Sequence, residues 1–136
     1  MQNAYGALVA EQALNSKDPA IARQLSEEAL SHLNQALTIH PTYIEAFYMR
    51  GNVNFLLGRY ESAVSDYRRC LELNPDFQDA YGNYALALRE AARGLMASGG
   101  DTAQAIRMLE ESLRLFPQEE ATRQLLDQAR ANSSGN

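Results

Sequence analysis

The chain is poor in the residues that do chemistry or hold metals. It has one cysteine, which cannot form an internal disulfide, and with only two histidines there are too few ligands for a zinc site. Lys17 is the only lysine among twelve basic residues. No stretch approaches the roughly 20 unbroken apolar residues of a membrane span. The first residues, MQNAYGALVAEQALNSKD, have neither a basic start nor an apolar core, so they do not read as a secretory signal. A net charge of −5 and a pI near 5 argue against binding to duplex nucleic acid or to an anionic membrane. What is present is enough to fold: 136 residues, 46% hydrophobic and 21% charged, the size of one ordinary domain. The expected setting is a reducing, cytoplasmic one, although a start in mid-helix is also consistent with a piece of a longer or membrane-attached protein.

Three prolines end similar phrases: LTIHP at Pro41, LELNP at Pro75 and LRLFP at Pro117. Pro41 and Pro75 are separated by about 34 residues, the period of a helix–turn–helix repeat. Pro75 and Pro117 are separated by that same period with eight residues added. Counting back 12, 8 and 5 from each proline gives Ala29, Leu33, Ala36, then Ala63, Tyr67, Cys70, then Ala105, Leu109, Ser112. Each triplet is small–large–small. Small residues seven apart on one helical face admit a neighbouring helix, and the large residue between them fills the gap.

The middle unit reads PTYIEAFYMRGNVNFLLGRYESAVSDYRRCLELNP. Phe47 stands four before Gly51 in its first helix, Gly58 suits the left-handed residue after a helix end, and Tyr60 starts the second helix. In the third unit Tyr81 stands four before Ala85. This resembles the tetratricopeptide repeat (TPR) family, in the variant with Arg-Gly where others have Leu-Gly. The resemblance implies an all-α, right-handed α-solenoid of antiparallel helix pairs. The spacing places about seven helices, at 3–16, 19–39, 43–57, 60–73, 77–97, 101–115 and 118–131. They make a single domain over 1–131 with units at about 3–41, 42–75 and 76–117, a capping helix at 118–131 and a disordered tail at 132–136. Asp18-Pro19 reads as an N-cap followed by the first helical residue. Gly6 is the candidate small crossing residue of an overlong first unit. In the third unit the eight additional residues fall between Leu88 and Gly100.

No set of residues supports catalysis, and no cofactor or metal is expected. Cys70 occupies a packing position. His32 and His40 lie eight apart with no further ligand nearby and read as surface residues. The pairs Glu27-Glu28, Glu110-Glu111 and Glu119-Glu120 are adjacent, so on a helix they diverge by about 100° and do not converge on a substrate. Gly99-Gly100 lacks the strand and lysine of a phosphate loop and reads as a turn. Phe47, Tyr67 and Tyr81 are expected in the core.

In the family the first helix of each unit lines a concave groove. The resemblance therefore places Tyr48, Met49, Asn52, Phe55 and Leu56 of the second unit there, joined by Gly82, Asn83, Leu86, Arg89 and Glu90 of the third. Asn52 and Asn83 have the spacing of the two asparagines in the clamp with which some TPR proteins hold chaperone tails. The basic partners of that clamp are missing: Tyr48, Ala121 and Leu125 stand in their places. A weaker reading is kept, backbone gripping of an extended or helical peptide by side-chain amides. The expected function is a non-enzymatic scaffold with a protein or peptide partner, no nucleic acid and no direct membrane insertion. Two alternatives are an accessory domain of a larger protein, since the phrasing also resembles TPR tails of membrane glycosyltransferase-like proteins, and a self-assembly module forming homo-oligomers. The overlong helices predict a notch beside the second unit, with Leu95 and Met96 as a second contact surface; alternatively, the insertion folds back around Ser98-Gly99-Gly100 and buries them.

Overall fold

The computed structural model of the chain describes residues 2–134, with side chains from Gly6 onward. These form seven helices and no strand: α1 (Gln2–Asn15), α2 (Pro19–Ile39), α3 (Ile44–Leu56), α4 (Tyr60–Leu73), α5 (Gln78–Ala97), α6 (Thr102–Leu115) and α7 (Glu120–Ser134). The predicted boundaries of α1 to α6 hold to one residue. At α7 the helix starts two residues later than expected and runs on through 132–134, where a frayed tail was expected. Positions 135 and 136 of that tail lie outside the described residues. The chain divides into two compact units, Met1–Ala80 and Tyr81–Asn136, with the boundary inside α5.

The three proline phrases make the same joint. The backbone N–H of the residue before each proline closes the preceding helix: His40 donates to Ala36, Asn74 to Cys70 and Phe116 to Ser112, at 2.8, 2.9 and 3.0 Å. Each acceptor is the last member of a small–large–small triplet. The C=O of the same residue then accepts from the N–H three places on, in Tyr43, Phe77 and Glu119. Proline thus sits second in a four-residue turn, where its fixed φ is already correct and its missing N–H is not needed. The later start of α7 follows from this turn, which uses residues 116–119.

The joints inside the hairpins are built differently. Gly58 has φ +77° and Gly99 φ +72°, the left-handed region that only glycine enters cheaply. After each, the next N–H reaches back over the helix end, Arg59 to the Asn54 carbonyl at 2.8 Å and Gly100 to that of Leu95 at 2.7 Å. Both are six-to-one helix closures. At the start of α2 the Asp18 carboxylate accepts from the amides of Ala20 and Ile21, with Pro19 as the first helical residue.

All nine triplet residues are buried, none more than 3% exposed. Gly51 shows why the crossing position must be small: a Cβ there would lie 2.8 Å from the ring of Tyr67. Gly6 has the matching place in the first hairpin, where a Cβ would come within 3.2 Å of the Leu33 side chain. The core of the first unit gathers Val9 and Ala10 from α1, Ala29, Leu30, Leu33 and Leu37 from α2, and Ala46 and Val53 from α3. In the second unit Ala85 takes the crossing position, and its carbonyl accepts a 2.9 Å hydrogen bond from the Ser112 hydroxyl. Leu126 and Ala129 of α7 are buried as its amphipathic pattern requires.

The insertion lies almost wholly in α5, which has 20 residues against 13 in α3, with the eighth added residue in the following turn, whereas α4 and α6 have 14 each. Seven further residues lengthen the helix by about 10 Å. Leu95 and Met96 are half-buried and do not stand open. The Leu95 side chain lies where a Cβ on Gly100 would meet it at 3.0 Å, and its carbonyl also accepts from the Ser98 hydroxyl. The insertion is therefore helical to Ala97, and the closing turn folds back over Leu95.

Candidate functional site

Among the described residues, one cleft in each unit is lined by several polar side chains. In the first unit a cleft of about 370 Å³ is lined by residues of α2, α3 and α4, with Arg50 and Asp66 at its floor. Asp66 is 4% exposed. Arg50 grips it through both Nε (3.0 and 3.1 Å) and Nη2 (2.7 Å), and its Nη1 donates to the Asn34 side-chain Oδ1 at 3.0 Å. The buried Asn54 amide donates to the second carboxylate oxygen at 3.0 Å. At the rim Arg59 pairs with Glu27 at 2.6 Å. Both arginines are thus paired with carboxylates. A buried carboxylate held by a fork and an amide is a clip joining helices; it has no spare capacity for a ligand.

The residues expected to line a groove on α3 are mostly engaged with their own unit. Tyr48 packs on Phe77, ring centroids 4.9 Å apart, and leans on Tyr67. Asn52 accepts a hydrogen bond from the Tyr67 hydroxyl. Phe55 meets Tyr60 edge to face at 5.2 Å. Met49, half-buried, packs against the α1–α2–α3 core. Leu56 is 42% exposed, but it opens with Leu57 onto a cleft shared with the start of α2. Of the aromatics expected in the core, Tyr67 is fully buried, while Phe47 and Tyr81 are half-buried. Phe47 carries the Arg50 guanidinium 5.6 Å from its ring centre. His40 is exposed, as expected of a surface residue; His32 is not, being half-buried where α1 passes at Gly6.

The second unit brings its expected residues together. Gly82, Asn83, Leu86 and Arg89 line one wall of a cleft of about 250 Å³. They recur at short helical spacings along α5 and so share one face. The opposite wall comes from residues not expected in the groove: Ser112 and Phe116 at the end of α6, and Glu119 and Thr122 at the start of α7. Leu86 and Phe116 are 38% and 39% exposed and give the cleft an apolar rim. In the sequence Phe116 stands out only as the residue before Pro117, and that joint is what turns it toward α5. Arg89 is largely buried; its Nε is fully so and meets no acceptor among the described residues. Glu90, expected beside it, is shared by two guanidiniums, Arg89 and Arg93, at 3.4 Å each.

Cys70 is buried, and burial pushes its thiol up from 9.0 to about 11, so it stays protonated and unreactive at neutral pH. Among the described residues, no helix is long and apolar enough to cross a membrane.

Residues 44–77 match the tetratricopeptide repeat family. The chain is 23% identical over 119 residues to a TPR repeat-containing protein of Rhizobium etli, covering 88% of this chain and 54% of that one. It is 32% identical over 63 residues to the UDP-N-acetylglucosamine–peptide N-acetylglucosaminyltransferase of Giardia intestinalis, covering 46% of this chain and 4% of that protein. The chain thus spans about half or less of the length of these relatives. Among solved structures, the TPR domain of Arabidopsis OM64 superposes with a TM-score of 0.53 at 14% identity, covering 96% of this chain and 98% of that one. The second TPR domain of human RPAP3, determined in complex with an HSP70 peptide, gives a TM-score of 0.50 at 14% identity, with 94% and 98% covered. The fold is that of TPR solenoid domains, and residues 44–77 carry the repeat of the tetratricopeptide family.

Proposed function

We propose that the protein is a non-enzymatic interaction scaffold that binds a peptide segment of a partner protein along the exposed face of α5. The observation that carries this reading is the second-unit cleft, where Asn83, Leu86 and Arg89 meet Phe116 and Thr122 across an open, partly apolar space. An apolar rim with a few convergent polar groups is the usual make-up of a binding site. The HSP70 peptide held by the RPAP3 domain supports a peptide as ligand class. On α3, Tyr48, Asn52, Phe55 and Leu56 remain part of the proposed binding set, with the weight of binding on α5.

The likeness to a transferase is confined to 63 residues, 4% of that enzyme. It favours a second reading, in which this scaffold serves as the accessory domain of a longer protein. The test of the first reading is binding to an array of immobilised random dodecapeptides. A Leu86→Ser, Phe116→Ser double variant should lose most of the captured peptides at an unchanged helical spectrum. Equal capture by the double variant would move binding away from this cleft.

A further inference from the structure

We propose that the chain associates with a second copy of itself through the outer face of α2, the two α2 helices lying antiparallel about a two-fold axis near Leu30. This surface is separate from the α5–α6–α7 cleft and does not depend on peptide binding. The buried residues of α2, from Ser26 to Leu37, face its own unit. About a third of a turn away runs a second stripe, in alternating steps of four and three: Ile21, Leu25, Glu28, His32, Gln35 and Ile39. That is the a/d spacing of a seam between two helices. Ile21 and Ile39, at 49% and 63%, are the large apolar residues that α2 leaves exposed.

The repeat marks this side as a stacking face. Glu28 and His32 stand immediately before the triplet residues Ala29 and Leu33, as Ser62 and Asp66 stand before Ala63 and Tyr67. Ser62 and Asp66 look toward the preceding hairpin and line a cleft with Leu30 and Asn34 of α2. On α1, Leu8 follows Gly6 at the spacing with which Val53 follows Gly51. Val53 is fully buried in the core with α1 and α2, whereas Leu8 is 52% exposed. The outward side of the α1–α2 hairpin therefore has the apolar content of a stacking face, with no earlier hairpin among the described residues to cover it. The described part of α7, at the other end of the array, exposes no large apolar side chain. Stacking one copy's α7 on another's α2 would leave the seam against a polar surface, so the apolar face is best met by itself.

The stripe is self-complementary in one orientation. Ile21 and Ile39 are equidistant from Leu30, so antiparallel pairing sets Ile21 on Ile39 of the second copy, Leu25 on Gln35 and Glu28 on His32, each twice. Glu28 and His32 each have an interaction already. A carboxylate accepts several hydrogen bonds, and an imidazole N–H donates to it whether or not the ring is charged. A polar layer at the centre of a seam fixes its register. Parallel pairing would set Glu28 on Glu28 and is opposed by like charge.

A seam of two such helices lies at the small end of specific interfaces, so the dimer is reversible and grows with concentration. Sedimentation equilibrium of the full chain, from micromolar to millimolar at near-physiological salt, should show a monomer–dimer equilibrium. Ile21→Lys and Ile39→Glu, each at an exposed position, should weaken it at least about tenfold with the helical spectrum unchanged. Mixed in equal amounts, the two variants should associate again. One end of the mixed pair keeps isoleucine against isoleucine, and the other sets the introduced lysine against the introduced glutamate. A native chain that stays monomeric throughout overturns the proposal. So does undiminished association of either variant, which would place the contact elsewhere. Association that is lost in both variants but does not return on mixing overturns the antiparallel pairing.

Discussion

The two clefts of this protein hold the same kind of side chain for opposite ends. Arg50 commits its guanidinium to Asp66 and Asn34 and ties α2, α3 and α4 together. Arg89, on the long α5, keeps a buried donor unmatched. The two are not repeat equivalents: the counterpart of Arg50 one repeat on is Tyr84, whose hydroxyl donates to Glu111. The second unit therefore closes its α5–α6 pair with a phenol and a carboxylate at the rim, plus the Ser112 hydroxyl on the Ala85 carbonyl. Its arginine lies about one and a half turns further along α5, off the crossing and on the open face. Whether a polar residue in a repeat is structural or available thus depends less on its type than on whether its partner is already in the chain.

Removing the acid of the closed cleft should have the largest effect on stability. Asp66→Ala strands Arg50 and Asn54 and should cost about 2–4 kcal/mol, at the lower end because Arg50 is partly exposed. Arg89→Gln removes a buried donor that has no acceptor together with the longer pair to Glu90, and should cost less, about 1 kcal/mol or below. Chemical denaturation of both variants checks the contrast, and equal losses would erase the distinction between the clefts. Next in size is the crossing in the first unit. Ala63→Leu overpacks a fully buried position and should cost about 1–3 kcal/mol. An unchanged midpoint would mean that the repeat register is wrong.

A pair of glycine variants sharpens the comparison on a smaller scale. Gly51→Ala pushes a methyl into the Tyr67 ring and should destabilise. A Cβ on Gly82, in the open cleft, meets nothing within 4 Å, so Gly82→Ala should stabilise α5 by about 0.5–1 kcal/mol. Thermal midpoints moving in the same direction would contradict the geometry. The smallest effect concerns Cys70. Its folded pKa, raised by burial to about 11, lies above the unfolded 9.0. The stability it supports is therefore fully present below pH 9 and declines as the pH rises towards 11. In mildly alkaline buffer, labelling by a thiol reagent should follow the unfolding rate. Fast labelling of the native chain would show that the thiol is reachable.

Much of this architecture was legible in the sequence, because its signals are local or periodic. The triplets, the proline phrases, Gly58 and the Asp18 cap each state their role within one helix or one turn. The clip between Arg50 and Asp66 was not legible. Its partners stand on different helices, and no period of the repeat links them. The available hint was an aspartate at position 66 inside the buried stripe of Ala63, Tyr67 and Cys70. The groove residues were legible as a helical face, but not in their engagements. That Tyr67 donates to Asn52 depends on how closely Gly51 lets α4 approach. It also alters the expected behaviour of Asn52→Ala, which would remove this hydrogen bond at a cost of about 0.5–1.5 kcal/mol, so that variant disturbs stability as well as the face. In the second wall of the α5–α6–α7 cleft, Phe116 and Glu119 belong to a joint, and helical patterning says nothing about where a joint turns its side chains.

The three proline joints have a consequence for how such a chain changes over generations. Because His40–Tyr43, Asn74–Phe77 and Phe116–Glu119 share one hydrogen-bond pattern, a cut placed after Pro41 and rejoined after Pro75 regenerates the same seam. Unequal crossing-over at these seams would add or drop a whole repeat as a block without inventing a new connection. The glycine joints give a different freedom: α5 has grown by about two turns at its Gly99 end while α6 kept its length. The chain is thus a cassette array with two kinds of edit sites. Whole repeats could be exchanged at the prolines, and single helices lengthened at the glycines, without a new kind of joint.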